Sequence, residues 1–158
     1  MELTNFQGEP CNIQSYLELY KEGKTSEVSE WLWNELYHQG DIGTASVAWV
    51  LEAHEIFLSL KDIDWNYLGF VYAVMEALEE NEFIPCPEWA KEKYRPVAIK
   101  TLQHALNYIS EPITEEQQVS ILGLSIAITK TYKSFALVEY AWGGYEERLM
   151  DLDYEKNP

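Results

Sequence analysis

The spacing of apolar residues constrains this chain more than any other feature. They recur at three- and four-residue intervals over nearly its whole length, and no segment alternates strictly between apolar and polar. A half-buried strand needs that alternation to present one face to a core, whereas a helix needs a rhythm of about 3.6 residues. Gly, Pro and Asn interrupt the rhythm about every 20 residues, a spacing suited to helices joined by short loops. The pattern predicts an all-α fold.

A first helix is expected over 26–37, with Ser26 as N-cap and Gly40 as the breaker beyond its end. Val28, Leu32 and Leu36 form its inner stripe. Trp31 and Trp33 lie about 200° apart on a helical wheel, so one of them falls outside that stripe. A second helix is expected over 45–60 and a third over 65–81, with Asp64 as cap. The third is apolar almost all round between Tyr67 and Met75, which places it at the centre. Ile84-Pro85-Cys86-Pro87 is a rigid connector into a fourth helix over 88–109, where Pro96 should kink or split the helix near Arg95. Thr114 and Gln117 have capping-box spacing and open a fifth helix to about residue 131. A sixth is expected over 132–142, ended by Gly143-Gly144, before an acidic tail over 145–158.

The 158 residues fit one helical domain spanning 1–158. Segments 45–81 and 88–131 each read as one helical hairpin. Such hairpins predict a short right-handed superhelical stack of antiparallel helix pairs, with a compact helical bundle as the alternative.

Charge excludes whole classes of partner. With 27 acidic against 11 basic residues the formal charge is −16, which opposes binding to nucleic acid or to an anionic membrane and favours a basic partner. The acids concentrate early: residues 1–40 hold seven acids and two bases, and residues 41–85 hold nine acids and one base. The first ten residues lack the basic and apolar stretches of a secretory signal, and the expected location is the cytoplasm. Cys11 and Cys86 are two isolated residues that read as reduced thiols.

No constellation of residues points to catalysis. His54-Glu55 lacks the second histidine of a zinc-protease helix, because Leu58 stands there. The chain has no nucleophile elbow, Walker loop or glycine-rich dinucleotide turn, so no enzyme activity, cofactor or metal is expected. His54 faces the apolar side of its helix and reads as a buried, hydrogen-bonded histidine. A cleft holding His54 and Glu76 is the enzymatic or small-molecule-binding alternative, and a generic interaction scaffold is the other.

Twenty-two residues are Trp, Tyr or Phe, more than a core of this size holds with every polar tip satisfied. Trp33 and Tyr37, one turn apart and off the inner stripe, are the candidate anchors of an interface. Asp41, Asp62, Asp64, Glu79, Glu80 and Glu82 are the candidate steering charges around them.

Glu35-Leu36-Tyr37-His38-Gln39-Gly40 followed by Thr44-Ala45-Ser46 resembles the small bacterial HEAT-like helical-repeat proteins, in which a similar His-Gln-Gly turn ends one helix and Thr-Ala-Ser opens the next. The likeness continues through the Asp64-Trp65 turn, the helix at Glu76 and the stretch from Pro85 to Tyr94. Leu51 stands where the family pattern would have a proline. The resemblance implies a short α-solenoid of the immunity type, a cytosolic inhibitor that neutralises a basic bacterial toxin domain by tight binding. It supplies no catalytic residue.

Overall fold

A computed structural model describes residues 2–80, 86–108 and 114–129. The helix expected over 132–142, the acidic tail, Glu82 and the Ile84-Pro85 part of the connector lie outside the described residues. Within them the fold is mostly helical: α1 (Gln14–Lys21), α2 (Thr25–Trp31), α3 (Thr44–Ser59), α4 (Trp65–Glu80), α5 (Glu88–Leu106) and α6 (Glu115–Thr129).

Four of the expected helices appear within a few residues of their expected bounds. The Asp64 carboxylate accepts the amides of Asn66 and Tyr67 and so caps α4. Thr114 and Gln117 exchange side-chain and backbone hydrogen bonds at the start of α6, the reciprocal capping box their spacing predicts. Helix α5 runs unbroken through Pro96 rather than splitting near Arg95. Pro96 and Glu92, the residue whose carbonyl loses its partner, are both exposed, on the side of the helix where the lost hydrogen bond costs least.

The first forty residues depart most from expectation. Helix α1 went unanticipated, although Ile13, Leu17 and Tyr20 make a buried stripe at helical spacing. Helix α2 starts at Thr25, so Ser26 is its second residue rather than its cap. The segment Leu32–Leu36 then continues as a π-helical turn. The expected Gly40 breaker instead sits in a hairpin of β1 (Tyr37–His38) and β2 (Asp41–Ile42), with Tyr37 opposite Ile42 and His38 opposite Asp41. Gln39 and Gly40 both have positive φ, 48° and 91°, as a two-residue type I′ connection demands.

The N-terminal segment docks on the start of α3. The Thr4 carbonyl accepts the amide of Ala45, and the Thr4 amide donates to the Thr44 hydroxyl, both at 2.9 Å. Backbone from the N-terminal segment therefore satisfies a donor that a capping side chain would otherwise take. Gly43 permits the approach: a Cβ there would lie 2.1 Å from the Thr4 carbonyl oxygen and 2.2 Å from that of Asn5. Gly43→Ala should displace the segment at a cost of about 1–3 kcal/mol in urea unfolding, with faster hydrogen exchange of the Ala45 amide. Unchanged stability and exchange would show that the contact does not hold.

One continuous cluster of buried side chains reaches from Ile13 in front of α1 to Leu124 on α6. The most extensive helix contacts join elements two apart in sequence, α4 with α6 and α3 with α5, and α1 also packs on α3. Tyrosine hydroxyls tie successive helices together. Tyr67 on α4 donates to the Val50 carbonyl on α3, and Tyr94 on α5 donates to the Val71 carbonyl on α4, at 2.7 and 2.8 Å.

Candidate functional site

Helices α1 and α2 leave a groove of about 750 Å³ between them. Glu27, Glu30, Trp31 and Asn34 fall at helical intervals along one side, and Ser15, Tyr16 and Leu19 line the other. Its floor is aromatic. Tyr16 and Trp31 stack face to face with centroids 3.9 Å apart and planes 7° from parallel. Trp31 in turn meets the fully buried Trp49 edge-on at 5.4 Å, so the core backs the floor and holds it rigid. A preorganised aromatic surface loses little freedom when something binds it.

The rim is acidic. Glu27, Glu30 and Glu35 line the groove, and no basic residue lines it among the described residues. The two lysines nearby in sequence are already paired, Lys21 with Glu18 at 2.7 Å and Lys24 with Glu22 at 2.9 Å. A cation arriving at the groove therefore meets three exposed carboxylates beside a half-buried Tyr16 ring backed by Trp31. Tyr16, Glu27 and Glu30 escaped the sequence reading because their juxtaposition is tertiary. The only sequence signal was the Trp31-x-Trp33 pair, which required one of the two indoles to leave the inner stripe.

The expected interface residues are distributed otherwise. Trp33 and Tyr37 are half-buried and pack edge-to-face at 5.4 Å, while Trp33 also lies against Phe70 of α4 at 5.6 Å. Asp41 is exposed on the hairpin at the start of α3, and Asp62 is exposed in the turn after its end. Sixteen helical residues separate those two sites, about 24 Å at 1.5 Å per residue. One patch cannot contain both. Asp64 is turned inward: it is buried and accepts the Tyr20 hydroxyl at 2.8 Å. Burial holds its carboxyl above the ordinary range, against the opposing pull of the Tyr20, Tyr67 and Asn66 donors. Glu79 and Glu80 end α4, whose neighbouring Leu78 lines a second groove together with Ile42, Thr44 and Val47. Their backbone therefore lies at the Asp41 end of α3.

His54 and Glu76 occupy different settings. His54 is only 2% exposed, between α3 and α5, with its Nδ1 sharing a hydrogen bond of 3.2 Å with the Thr101 hydroxyl. Its Nε2 and the Trp49 indole nitrogen are buried without a hydrogen-bond partner among the described residues. Glu76 is half-buried and accepts the Tyr72 hydroxyl on its own helix. Neither residue lines the α1–α2 groove or the groove beside Leu78.

Burial pushes the His54 pKa below 6.5, Glu55 pulls it back in part, and Lys100 and His104 lower it further. On acidification the unfolded chain therefore takes up this proton before the folded one does. Stability is complete above the unfolded value and falls as pH drops from there toward the lowered folded value. His54→Ala should cost about 1–3 kcal/mol at neutral pH through lost packing and the lost hydrogen bond to Thr101. The gap from wild type should narrow as pH falls below about 6.5 in urea titrations, because only the wild type then has an unfolded chain stabilised by protonation of His54. A gap that widens on acidification would contradict the assignment.

Among the described residues no group of three His, Cys, Asp or Glu side chains could hold a metal ion, and no helix is long and apolar enough to cross a membrane. Comparison of the chain with protein-family models, with characterised proteins and with solved structures returns no match.

Proposed function

We propose that this chain is a non-enzymatic binding protein of the immunity type, which neutralises a basic toxin domain by seating one of its basic segments in the α1–α2 groove. The observation that carries this reading is the Tyr16–Trp31 stack beside three carboxylates, with no cation in the groove wall among the described residues. The formal charge of −16 extends the attraction beyond the groove, so a basic partner is steered toward it before contact. Inhibition by occlusion asks no chemistry of the inhibitor, and a cytoplasmic location suits a protein that protects the cell making the toxin. We read the architecture as a short HEAT-like right-handed stack. Packing of α1 on α3, α3 on α5 and α4 on α6 is the neighbour relation that successive hairpins of a solenoid have.

Co-expression with the product of the adjacent gene tests the proposal. That product alone should arrest growth, this chain should restore it, and the two purified proteins should form a salt-sensitive complex. Replacing Glu27, Glu30 and Glu35 by Lys should abolish the rescue. A neighbouring product that is harmless, or that the chain does not bind, would overturn the reading.

A further inference from the structure

We infer that the α1–α2 groove is an arginine site: it takes the guanidinium of an arginine within a partner polypeptide, laid on the face of Tyr16 turned away from Trp31 and forked between the groove carboxylates. The inference rests on the binding role proposed above and names the group that fills its groove. Three observations select this chemistry. The surface is prebuilt: Tyr16 and Trp31 stack at 3.9 Å and 7° from parallel, so Trp31 backs one face of Tyr16 and the half-buried Tyr16 offers the other. A guanidinium is planar and weakly hydrated, so it lies on such a surface, whereas the compact ammonium of lysine keeps its water.

Next, the rim offers acceptors from more than one direction. Glu27 and Glu30 are one helical turn apart on α2, and Glu35 approaches from the π-helical turn beyond it. That arrangement matches a fork of five N–H donors better than a point charge.

Finally, Trp31 contributes an unused donor. The residue is 8% exposed, and its indole N–H makes no hydrogen bond to a described residue. It is not among the buried nitrogens sealed from solvent without a partner, which are those of Trp49 and His54. A donor cannot pair with a guanidinium, which has no acceptor, but it can pair with a peptide carbonyl beside the arginine. The combination therefore fits an arginine carried by a polypeptide. Free arginine would bring its own carboxylate against the rim acids.

The test is a nitrogen-15 NMR titration of the full chain, following the Trp31 indole signal. Its probes are Gly-Arg-Gly and Gly-Lys-Gly peptides blocked at both ends, and free L-arginine. The blocked arginine peptide should shift the signal saturably and bind at least about tenfold more tightly than the lysine peptide or free arginine. E27Q/E30Q/E35Q should weaken that binding by about tenfold or more, and Tyr16→Leu should remove the preference for arginine over lysine. Circular dichroism of E27Q/E30Q/E35Q should match wild type, because the three glutamates are exposed, and that of Tyr16→Leu should keep the helical signal, because leucine retains an apolar contact with Trp31. Equal affinity for the two blocked peptides, no shift of Trp31, or binding indifferent to the three glutamates would overturn the inference. If the neighbouring gene product binds and arginine selectivity is absent, the arginine site alone fails. If arginine selectivity holds and that product does not bind, the immunity reading alone fails.

Discussion

Trp49→Ala is expected to lower the free energy of unfolding by about 3–5 kcal/mol, a large share of the roughly 5–15 kcal/mol that a single domain possesses. Trp49 is fully buried, meets Trp31 edge-on at 5.4 Å and tilts against Tyr20 at 5.6 Å. Truncation would leave a void beside the Trp31 and Tyr20 rings. The indole nitrogen has no partner among the described residues, so part of this burial already opposes folding. Trp49→Phe should therefore cost under about 1.5 kcal/mol, since it removes the orphaned donor and keeps much of the ring contact. Urea unfolding of both variants checks the order. A Trp49→Ala loss below about 1 kcal/mol would mean that the site collapses freely and does not brace the groove floor. In that outcome Tyr16 and Trp31 would have to be held from elsewhere.

Replacing Glu27, Glu30 and Glu35 by Lys should slow association with the basic partner by about 100-fold at low salt and flatten its dependence on ionic strength. Dissociation should change far less. Tyr16→Ala should do the converse, speeding dissociation by an amount equivalent to about 2 kcal/mol while leaving steering intact. Stopped-flow mixing of the purified pair separates the two effects. Trp33→Ala serves as the internal comparison, because Trp33 is half-buried against Phe70 and lies outside the groove wall. If Trp33→Ala shortens the lifetime more than Tyr16→Ala does, the anchor belongs to the hairpin face. Association independent of ionic strength would remove the electrostatic account.

Local signals in the sequence account for the elements that were legible. Asp64 before Trp65, and Thr114 three residues before Gln117, are contacts within one turn, so the sequence contains both partners. The apolar stretch from Tyr67 to Met75 is buried throughout, as a helix without a polar face must be. The same logic should have revealed α1, whose stripe of Ile13, Leu17 and Tyr20 is as regular as any that was recognised. Its eight residues are too few to stand out as a periodic pattern, and tertiary burial stabilises it more than intrinsic propensity does.

The hairpin was illegible for another reason. Gln39-Gly40 is a weaker turn signal than Asn-Gly or Asp-Gly, and the apolar spacing of Val28, Leu32 and Leu36 continues helically to its edge. Docking of Ser46 decides the matter there: its hydroxyl donates to the Leu36 carbonyl at 2.6 Å and accepts the Gly43 amide at 3.2 Å, joining the two ends of the hairpin.

Sequence alone determined that the fold is helical, where most helices begin, and that the chain carries a strong negative charge, because each of these depends on spacing within a few residues or on a sum over all of them. Which aromatic rings face a groove, which acids stand free and which lie buried depended on how helices distant in sequence pack. Trp31 rather than Trp33 stacks on Tyr16, and Asp64 turns under Tyr20 while Glu27 and Glu30 stay in solvent. Periodicity specifies the face of a helix on which a residue lies; only the neighbour packed there decides whether that face is core, wall or groove.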